Sequence, residues 1–433
     1  MQEVVIFWFR RDLRWEDNHG LFRALSAGIP VLPIFIFDTD ILDKLEDKKD
    51  KRLQFIYENC KKLHDHFNQF NSGLKIIHGR PIDVLKSLAQ EYTIKEVYTN
   101  HDYEPYAIKR DSEVNEFFVS KTISFHTFKD QVVFEKSEVT KADGLPYTVF
   151  TPYSRVWKAK WAAQTCPRYA SEDLLENLVC FSSEFPTIDS LGFAATAVDV
   201  DFDLARIQPI INTYDASRNF PALPSGTTRM GVHLRFGTVS PRRLAQVALA
   251  SNETWLNELI WREFFMQILF HFPHVVTRCF KPQYEAISWR NNEAEFDLWC
   301  QGRTGYPIVD AGMRELNETG FMHNRVRMVV ASFLTKHLLI DWRWGEAYFA
   351  SKLLDYDLSA NNGNWQWAAG TGCDAAPYFR IFNPAEQTRK FDHKSKYIEK
   401  WLTPDDLMIP PIVEHSFARA RALEAYKKGL ANG

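Results

Sequence analysis

Short β-type runs alternate with longer amphipathic segments through the first 130 residues, and this alternation restricts the folds open to the chain. The runs cover residues 4–9, 31–37, 74–78, 96–99 and 123–128, and helix-like segments lie near residues 20–27, 51–71, 81–91 and 106–120. Strands that are apolar on both faces and alternate with helices form parallel sheets with helices packed on both sides. The pattern predicts an α/β domain with a doubly wound parallel sheet.

The segment after the first run lacks the glycine-rich pattern G-x-G-x-x-G, since residues 10–14 read RRDLR. The glycines of that pattern let a pyrophosphate approach the backbone. Their absence argues against a dinucleotide site of the usual Rossmann kind in this domain.

The hydrophobic pattern of the sequence changes twice after residue 130. Periodicity weakens between residues 131 and 197, where Ser, Thr, Asp and Pro are frequent and one aromatic-rich piece lies at residues 147–161. Helix-length segments without strand alternation follow at residues 241–251, 253–270, 306–318, 323–339, 345–354 and 414–428. We predict an α/β domain (1–130), an interdomain linker (131–197) and a larger all-α domain (198–433).

The amino-acid composition excludes several classes of protein. The 433 residues are 45% hydrophobic and 25% charged with a net charge of −3, which is typical of a soluble globular protein and does not by itself indicate nucleic-acid binding. No apolar run approaches the ~20 residues that cross a bilayer, and the N-terminus lacks a secretory cleavage site. Six cysteines without a CxxC pair argue against metal and redox sites and favour a reducing compartment. We expect a cytoplasmic protein without membrane attachment.

Nine of the 13 tryptophans lie beyond residue 250. Large helical domains bury most indoles as core. Trp365 and Trp367 differ, because they directly follow residues 360–364 (ANNGN). An Asn- and Gly-rich turn with indoles beside it predicts a pocket for a flat heteroaromatic ring.

Glu258 and Trp261 lie three residues apart on one side of an otherwise apolar predicted helix. One interpretation is a salt bridge from Glu258 to Arg262. The other is a carboxyl group beside an indole in a cavity, where it stays protonated and donates a hydrogen bond to a carbonyl that gains negative charge.

The next long predicted helix places Asn324 and Met328 on one face, and a methionine there usually fills a gap in the core. Arg325 and Arg327 project elsewhere, one toward solvent or phosphate and the other toward a carboxylate. The candidates for that carboxylate are Asp355 and Asp357. Upstream, residues 225–229 (SGTTR) precede a helical stretch and could cradle a phosphate.

Six longer runs carry a family resemblance. They are residues 7–14 (FWFRRDLR), 255–264 (WLNELIWREF), 305–311 (GYPIVDA), 322–325 (MHNR), 361–367 (NNGNWQW) and 378–384 (YFRIFNP). With them the chain resembles the photolyase/cryptochrome family, specifically its class I cyclobutane pyrimidine dimer (CPD) photolyases. The resemblance implies a C-terminal domain that holds FAD, active in the reduced FADH⁻ form, and we expect a monomer.

The resemblance also implies roles for individual residues. The FAD positions are Tyr214, Thr227, Thr228, Arg229, Met230, Gly231, Trp255, Arg327, Asp355, Asp357 and Asn361, the last facing flavin N5. The positions for the flipped-out dimer are Glu258, Trp261, Asn324, Met328 and Trp367. The DNA positions include Arg218, Arg325 and Gln387, and the electron relay to the flavin is Trp365, Trp342 and Trp289.

The implied function is light-driven repair of DNA that contains pyrimidine dimers, which cost less to extrude than normal bases. Six-four photolyases carry histidines where this chain has Asn324 and Met328, and blue-light cryptochromes usually lose the partners seen here as Glu258 and Trp261. Those two classes are the alternatives to CPD repair. Folate-binding members of the family carry an acidic residue where this chain has Ala107, which argues against a folate antenna. The alternatives are a deazaflavin, another chromophore or no antenna.

Overall fold

All five predicted runs are strands of one parallel sheet in the computed structural model, which describes residues 1–164 and 166–432. The strands are β1 (Glu3–Phe9), β2 (Val31–Asp38), β3 (Lys75–Gly79), β4 (Thr93–Asn100) and β5 (Ser124–Phe128). Their order is β3-β2-β1-β4-β5, so β1 is central and pairs with β2 and β4. The chain winds outward in both directions from β1, which confirms the doubly wound α/β fold.

The helices follow in chain order. The first ten are α1 (His19–Leu25), α2 (Thr39–Leu42), α3 (Lys51–Phe67), α4 (Pro81–Glu91), α5 (Pro105–Ser120), α6 (Phe150–Ala163), α7 (Leu204–Asn212), α8 (Tyr214–Ser217), α9 (Gly231–Phe236) and α10 (Pro241–Ser251). The others are α11 (Glu253–His271), α12 (Glu293–Cys300), α13 (Pro307–Thr319), α14 (Asn324–Ser332), α15 (Trp342–Lys352), α16 (Leu358–Ala369), α17 (Pro384–Phe391), α18 (Lys396–Trp401) and α19 (His415–Asn432). Within the described ranges, no helix combines the length and apolarity that crossing a bilayer requires.

The chain divides into two units. The first unit comprises residues 1–135, 159–203 and 230–247, and the second comprises residues 136–158, 204–229 and 248–433. The first unit holds the sheet, and the second is helical. The boundaries at residues 130 and 197 stay a prediction.

A buried ion-pair network in the first unit includes Arg14, the last residue of the RRDLR segment. Arg14 contacts Asp130 at 2.6 Å, and Arg242 contacts both Asp130 at 3.0 Å and Asp17 at 3.1 Å. Burial alone would raise the pKa of Asp130, but the two guanidinium groups hold this pKa below its ordinary value. Arg14 therefore has a structural partner within its own unit.

The predicted helices beyond residue 240 are present, with shifted ends. The segment predicted at 323–339 is α14 followed by a π-helical stretch, Phe333–His337, and the helix predicted at 345–354 begins three residues earlier, at Trp342. Helix α6 falls in the segment interpreted as linker. The weak periodicity of that segment did not reveal it.

The Asn- and Gly-rich turn predicted at residues 360–364 is wrong, because these residues lie inside α16. Asp357 caps the helix by accepting hydrogen bonds from the N–H groups of Ser359 and Ala360. Asn362 is buried and donates to the carbonyl of Val275 at 2.9 Å. Tertiary partners thus override the low helix propensity of Asn and Gly.

Two glycines let neighbouring helices approach α16 closely. A Cβ atom on Gly363 would lie 2.1 Å from Cδ1 of Phe265 on α11, and one on Gly345 of α15 would lie 2.1 Å from Cη2 of Trp365. Both aromatic rings therefore occupy the space where a side chain would be.

Replacing Gly345 with alanine should destabilise the protein. Helix propensity alone would favour alanine by about 1 kcal/mol, but overpacking against Trp365 should cost about 1–3 kcal/mol. Denaturant unfolding of Gly345→Ala measures the difference. Ala347→Ser, at an exposed position of the same helix, serves as the control and should stay within about 0.5 kcal/mol of wild type. An unchanged or raised free energy of unfolding for Gly345→Ala would contradict this packing.

Candidate functional site

A pocket between α14, α15 and α16 brings eight of the predicted site residues together. Its cavity volume is about 90 Å³, and the pocket is partly open to solvent. The eight residues are Asn324, Arg327, Met328, Asp355, Asp357, Asn361, Trp365 and Trp367. Ala331, Ala360 and Ala368 also line it, so small side chains leave room between aromatic walls. Such a mixture of apolar walls and a few polar groups suits a small-molecule site.

Helical spacing explains why these residues meet. Asn324 and Met328 are one turn apart on α14, and Asn361 and Trp365 are one turn apart on α16. All four side chains reach the same pocket. The predicted shared face of Asn324 and Met328 is therefore confirmed.

A charged pair forms part of the pocket wall. Arg327 donates to Asp355, with a shortest distance of 2.9 Å, and its Nε donates to the carbonyl of Met322 at 2.7 Å. Asp355 is thus the carboxylate that the sequence left undecided, while Asp357 caps α16. The pair offers fixed donors and acceptors beside the pocket.

Asn361 is held by a residue that the sequence analysis did not identify. Its Nδ2 donates to Oε1 of Glu346 at 2.9 Å and to the Glu346 carbonyl at 3.1 Å. Burial raises the pKa of Glu346, although the bond from Asn361 lowers it. A sequence signal existed, because Glu346 is a lone carboxylate on the helix stripe of the buried residues Trp342 and Phe349.

A second cluster surrounds Glu258. Arg218 forms an ion pair with Glu258 at 2.5 Å, and the Arg218 guanidinium lies 5.5 Å from the ring centre of Tyr214. Nearby on the same helix, Nε1 of Trp255 donates to Oγ1 of Thr228 at 3.3 Å. Arg218 is therefore a cation that pairs with Glu258.

Two opposing effects act on the pKa of the Glu258 carboxyl. Burial raises its pKa, and the adjacent Arg218 lowers it, with a net pKa above the ordinary value. Its side chain keeps 31% of its surface exposed. The Glu258 carboxyl is therefore partly accessible to a bound group and lies beside a cation.

Glu258 and Trp261 lie outside the lining of the α14–α16 pocket, on helix α11, which packs against α16. Thr227 and Arg229 belong to the second unit with the Glu258 cluster, whereas Met230 and Gly231 belong to the first unit. Arg229 adopts a left-handed backbone, φ 53°, and its guanidinium lies 4.4 Å from the ring centre of Phe321.

Basic residues gather at the start of α14. Arg325 donates to Oδ1 of Asn219 at 2.6 Å, and its guanidinium lies 4.3 Å from the ring centre of Phe391 on α17. Gln387 is one turn before Phe391 on the same helix. Burial first, and then Arg218 and Arg380, lower the pKa of Arg325. Concentrated positive potential of this kind attracts phosphate groups.

His323 caps α14 at this point, since its Nδ1 accepts from the N–H of Arg325 at 3.1 Å. Burial and the surrounding arginines lower its pKa to about 4. The imidazole is therefore neutral at physiological pH, as accepting this bond requires.

The three predicted relay tryptophans belong to one hydrophobic cluster. Trp365 and Trp342 are buried in it, and the half-buried Trp289 packs against it. Trp365 lies edge-on to Phe349, with ring centres 5.0 Å apart, and to Trp299 at 6.1 Å. The relay role itself stays a prediction.

Comparison with known proteins identifies the family of this chain. Residues 5–170 match the family model described as DNA photolyase, and residues 255–407 match the one described as the FAD binding domain of DNA photolyase. A deoxyribodipyrimidine photo-lyase of Synechococcus sp. is 37% identical over 440 aligned residues, which cover 93% of this chain and 88% of the relative. The chain belongs to the DNA photolyase family.

Solved structures of photolyases share the fold over the whole chain. A class III photolyase from Agrobacterium tumefaciens has a TM-score of 0.85 at 31% identity, covering 99% of this chain and 98% of its own. An archaeal photolyase from Sulfolobus tokodaii, crystallised with two FAD molecules, also has a TM-score of 0.85, at 33% identity, covering 99% and 100%. The prediction of an α/β domain followed by a helical FAD-binding domain is confirmed.

The side chains that line the α14–α16 pocket have the chemistry that a flavin ring requires. Trp365 and Phe349 provide aromatic walls for a flat ring, and the buried amide of Asn361 provides a polar group at its edge. The roles of single residues toward FAD and DNA stay predictions.

Removing Arg218 should raise the pKa of Glu258 further, because this cation opposes the effect of burial. A carbon-13 NMR titration of glutamate carboxyls in Arg218→Ala measures the change, with Glu258→Gln to assign the signal. Arg218→Lys keeps a cation and should shift the pKa less. Equal Glu258 pKa values in wild type and Arg218→Ala would contradict the ion pair.

Proposed function

We propose that this chain is a deoxyribodipyrimidine photo-lyase of class I, which uses blue or near-ultraviolet light to split cyclobutane pyrimidine dimers in DNA. One observation carries the proposal: a single pocket joins residues expected at the flavin, such as Asn361 and Arg327, with residues expected at the dimer, such as Asn324 and Met328. Because the photolyase relatives in structure include a class III enzyme, the class rests on the sequence motifs.

The proposed cofactor is FAD in its reduced form. Asn361, fixed by Glu346, would face the flavin ring, and Arg327, Asp355 and Asp357 would hold it at the pocket wall. Tyr214, Thr227, Thr228, Arg229, Met230, Gly231 and Trp255 would bind the remainder of the cofactor. When bound, the photoexcited reduced flavin supplies an electron to the dimer and regains it after the ring has split.

The residues around the dimer would exclude water and stabilise developing charge. Trp261 and Trp367 would clamp the extruded bases by stacking, and Asn324 and Met328 would contact their edges. Glu258, which is partly exposed, would donate a hydrogen bond to the dimer carbonyl that becomes negative. Arg218 lies beside Glu258 and, as a cation, would also stabilise the negative charge on the dimer carbonyl.

Arg218, Arg325 and Gln387 would contact the DNA backbone. Phosphate contacts supply most of the affinity of such proteins, so binding should weaken as salt rises. We propose that the protein acts as a monomer on DNA in the cytoplasm, in keeping with its expected compartment.

A second pocket is the site we propose for an antenna chromophore. Its cavity volume is about 450 Å³, and it is partly open to solvent. Its lining residues follow the carboxyl ends of β2 and β3 and include the first half of α5. Ligands of open parallel sheets bind at this edge. Tyr106 offers an aromatic ring there, and Arg80 and Lys109 offer cations. With Ala107 in place of an acidic residue, we favour a chromophore other than folate.

Reduced protein should repair thymine-dimer DNA in blue light and not in the dark. Glu258→Ala should slow ring splitting by about 10-fold or more, because the carbonyl loses its donor, while DNA affinity changes by less than about 3-fold. Glu253→Ala is the matched control, since Glu253 is a 76% exposed glutamate of the same helix. Repair yields and dissociation constants measure both effects.

Equal dark and lit turnover would refute the mechanism. Equal affinity for damaged and undamaged DNA would favour a cryptochrome-type photoreceptor, and repair of the six-four lesion alone would favour a six-four photolyase. A defect of Glu258→Ala in binding only would reject the role given to Glu258.

If the purified protein carries an antenna, its absorption spectrum should show a near-ultraviolet band besides the flavin bands. Tyr106→Ala should weaken that band by removing a wall of the second pocket, and the flavin bands should remain. An additional band that persists unchanged in Tyr106→Ala and in Arg80→Glu would contradict the assignment of this pocket.

A further inference from the structure

The aromatic-rich piece at residues 147–161 meets the Trp261 indole. Phe150 stacks on Trp261 with ring centres 3.7 Å apart and planes 4° from parallel. Both side chains are half-buried. The N–H of Phe150 donates to Oδ2 of Asp374 at 2.9 Å, which anchors its backbone. The ring of Phe150 is therefore held against one face of the indole.

The residues that follow Phe150 fasten this segment along α11. Tyr153 packs against Phe264, with ring centres 5.3 Å apart, and Nε1 of Trp157 donates to Oε2 of Glu263 at 2.6 Å. Both contacts are with the turn of α11 that directly follows Trp261. The position of Phe150 relative to Trp261 is thus fixed by its backbone bond to Asp374 and by the contacts of Tyr153 and Trp157.

Stacking restricts a motion that the indole would otherwise have. The torsion that rotates an aromatic ring about its Cβ–Cγ bond has broad minima, so packing must determine the ring plane. Phe264 and Phe265 also pack on Trp261, with ring centres 5.5 Å away and planes 86° and 30° from the indole. Of these three rings, Phe150 alone forms a parallel stack with the indole, and rotation of either ring would break that stack. The plane of Trp261 is therefore set before any ligand arrives.

We propose that Phe150 is a positioning residue that fixes the plane of Trp261, and that this pre-ordering gives the protein part of its preference for dimer-containing DNA. The inference rests on the proposed function, in which Trp261 stacks against the extruded dimer. Preorganisation raises affinity because the complex no longer has to order the ring on binding. Undamaged DNA, which leaves its bases in the duplex, gains nothing from it.

The test compares the affinities of the complete flavin-containing protein for DNA with one thymine dimer and for the same undamaged DNA. Phe150→Leu should lower the preference for the dimer by about 3- to 10-fold, in line with the strength of aromatic pairs. Affinity for undamaged DNA and flavin content should not change. Phe150→Tyr keeps the stack and should retain the wild-type preference.

Two further variants separate positioning from general damage to the fold. Phe270→Leu removes an exposed phenylalanine from α11, the helix that carries Trp261. This variant should leave the preference for dimer-containing DNA unchanged. In a Trp261→Ala background, Phe150→Leu should have no further effect, because Phe150 acts through the indole. Phe150→Met, of similar volume without an aromatic plane, replaces Phe150→Leu if that variant is unstable.

A wild-type preference retained by Phe150→Leu or Phe150→Met would overturn the positioning role alone. Equal additional losses in the wild-type and Trp261→Ala backgrounds would also overturn it, since Phe150 would then act independently of the indole. Absence of any preference in the wild-type protein would overturn the proposed function and, with it, this inference.

Discussion

The helical unit depends on the close approach of α16 to its neighbours α11 and α15. Gly363 admits the ring of Phe265, and Gly345 admits the ring of Trp365. This approach sets the distance between the pocket that suits a flavin and the helix that carries Glu258 and Trp261. A side chain at either glycine would force the helices apart, so the packing of α16 controls both the stability of the unit and the geometry of its site.

Polar groups at the site are arranged in hydrogen-bonded pairs. Asn361 is oriented by Glu346, and Arg327 is oriented by Asp355. Glu258 differs, because burial raises its pKa while Arg218 stabilises its charge. A carboxyl group in this balance suits a reaction in which negative charge appears briefly on a neighbouring carbonyl.

The sequence predicted the parts of this molecule that local pattern determines. Two-sided apolar runs identified every strand of the sheet, and helical spacing placed Asn324 and Met328 on one face of α14. It failed where distant partners decide, as at α16, where the buried bond from Asn362 to the carbonyl of Val275 helps to hold an Asn- and Gly-rich segment as a helix. Glu346 and Phe150 escaped notice for the same reason, since their partners Asn361 and Trp261 are remote in sequence.

The proposed function requires that the dimer, clamped between Trp261 of α11 and Trp367 of α16, lies within electron-transfer reach of the flavin in the α14–α16 pocket. The fluorescence lifetime of the reduced flavin tests this directly, because electron transfer to a dimer competes with emission. The account predicts a shorter lifetime with dimer-containing DNA than with the same DNA after repair. Equal lifetimes under saturating DNA would contradict it.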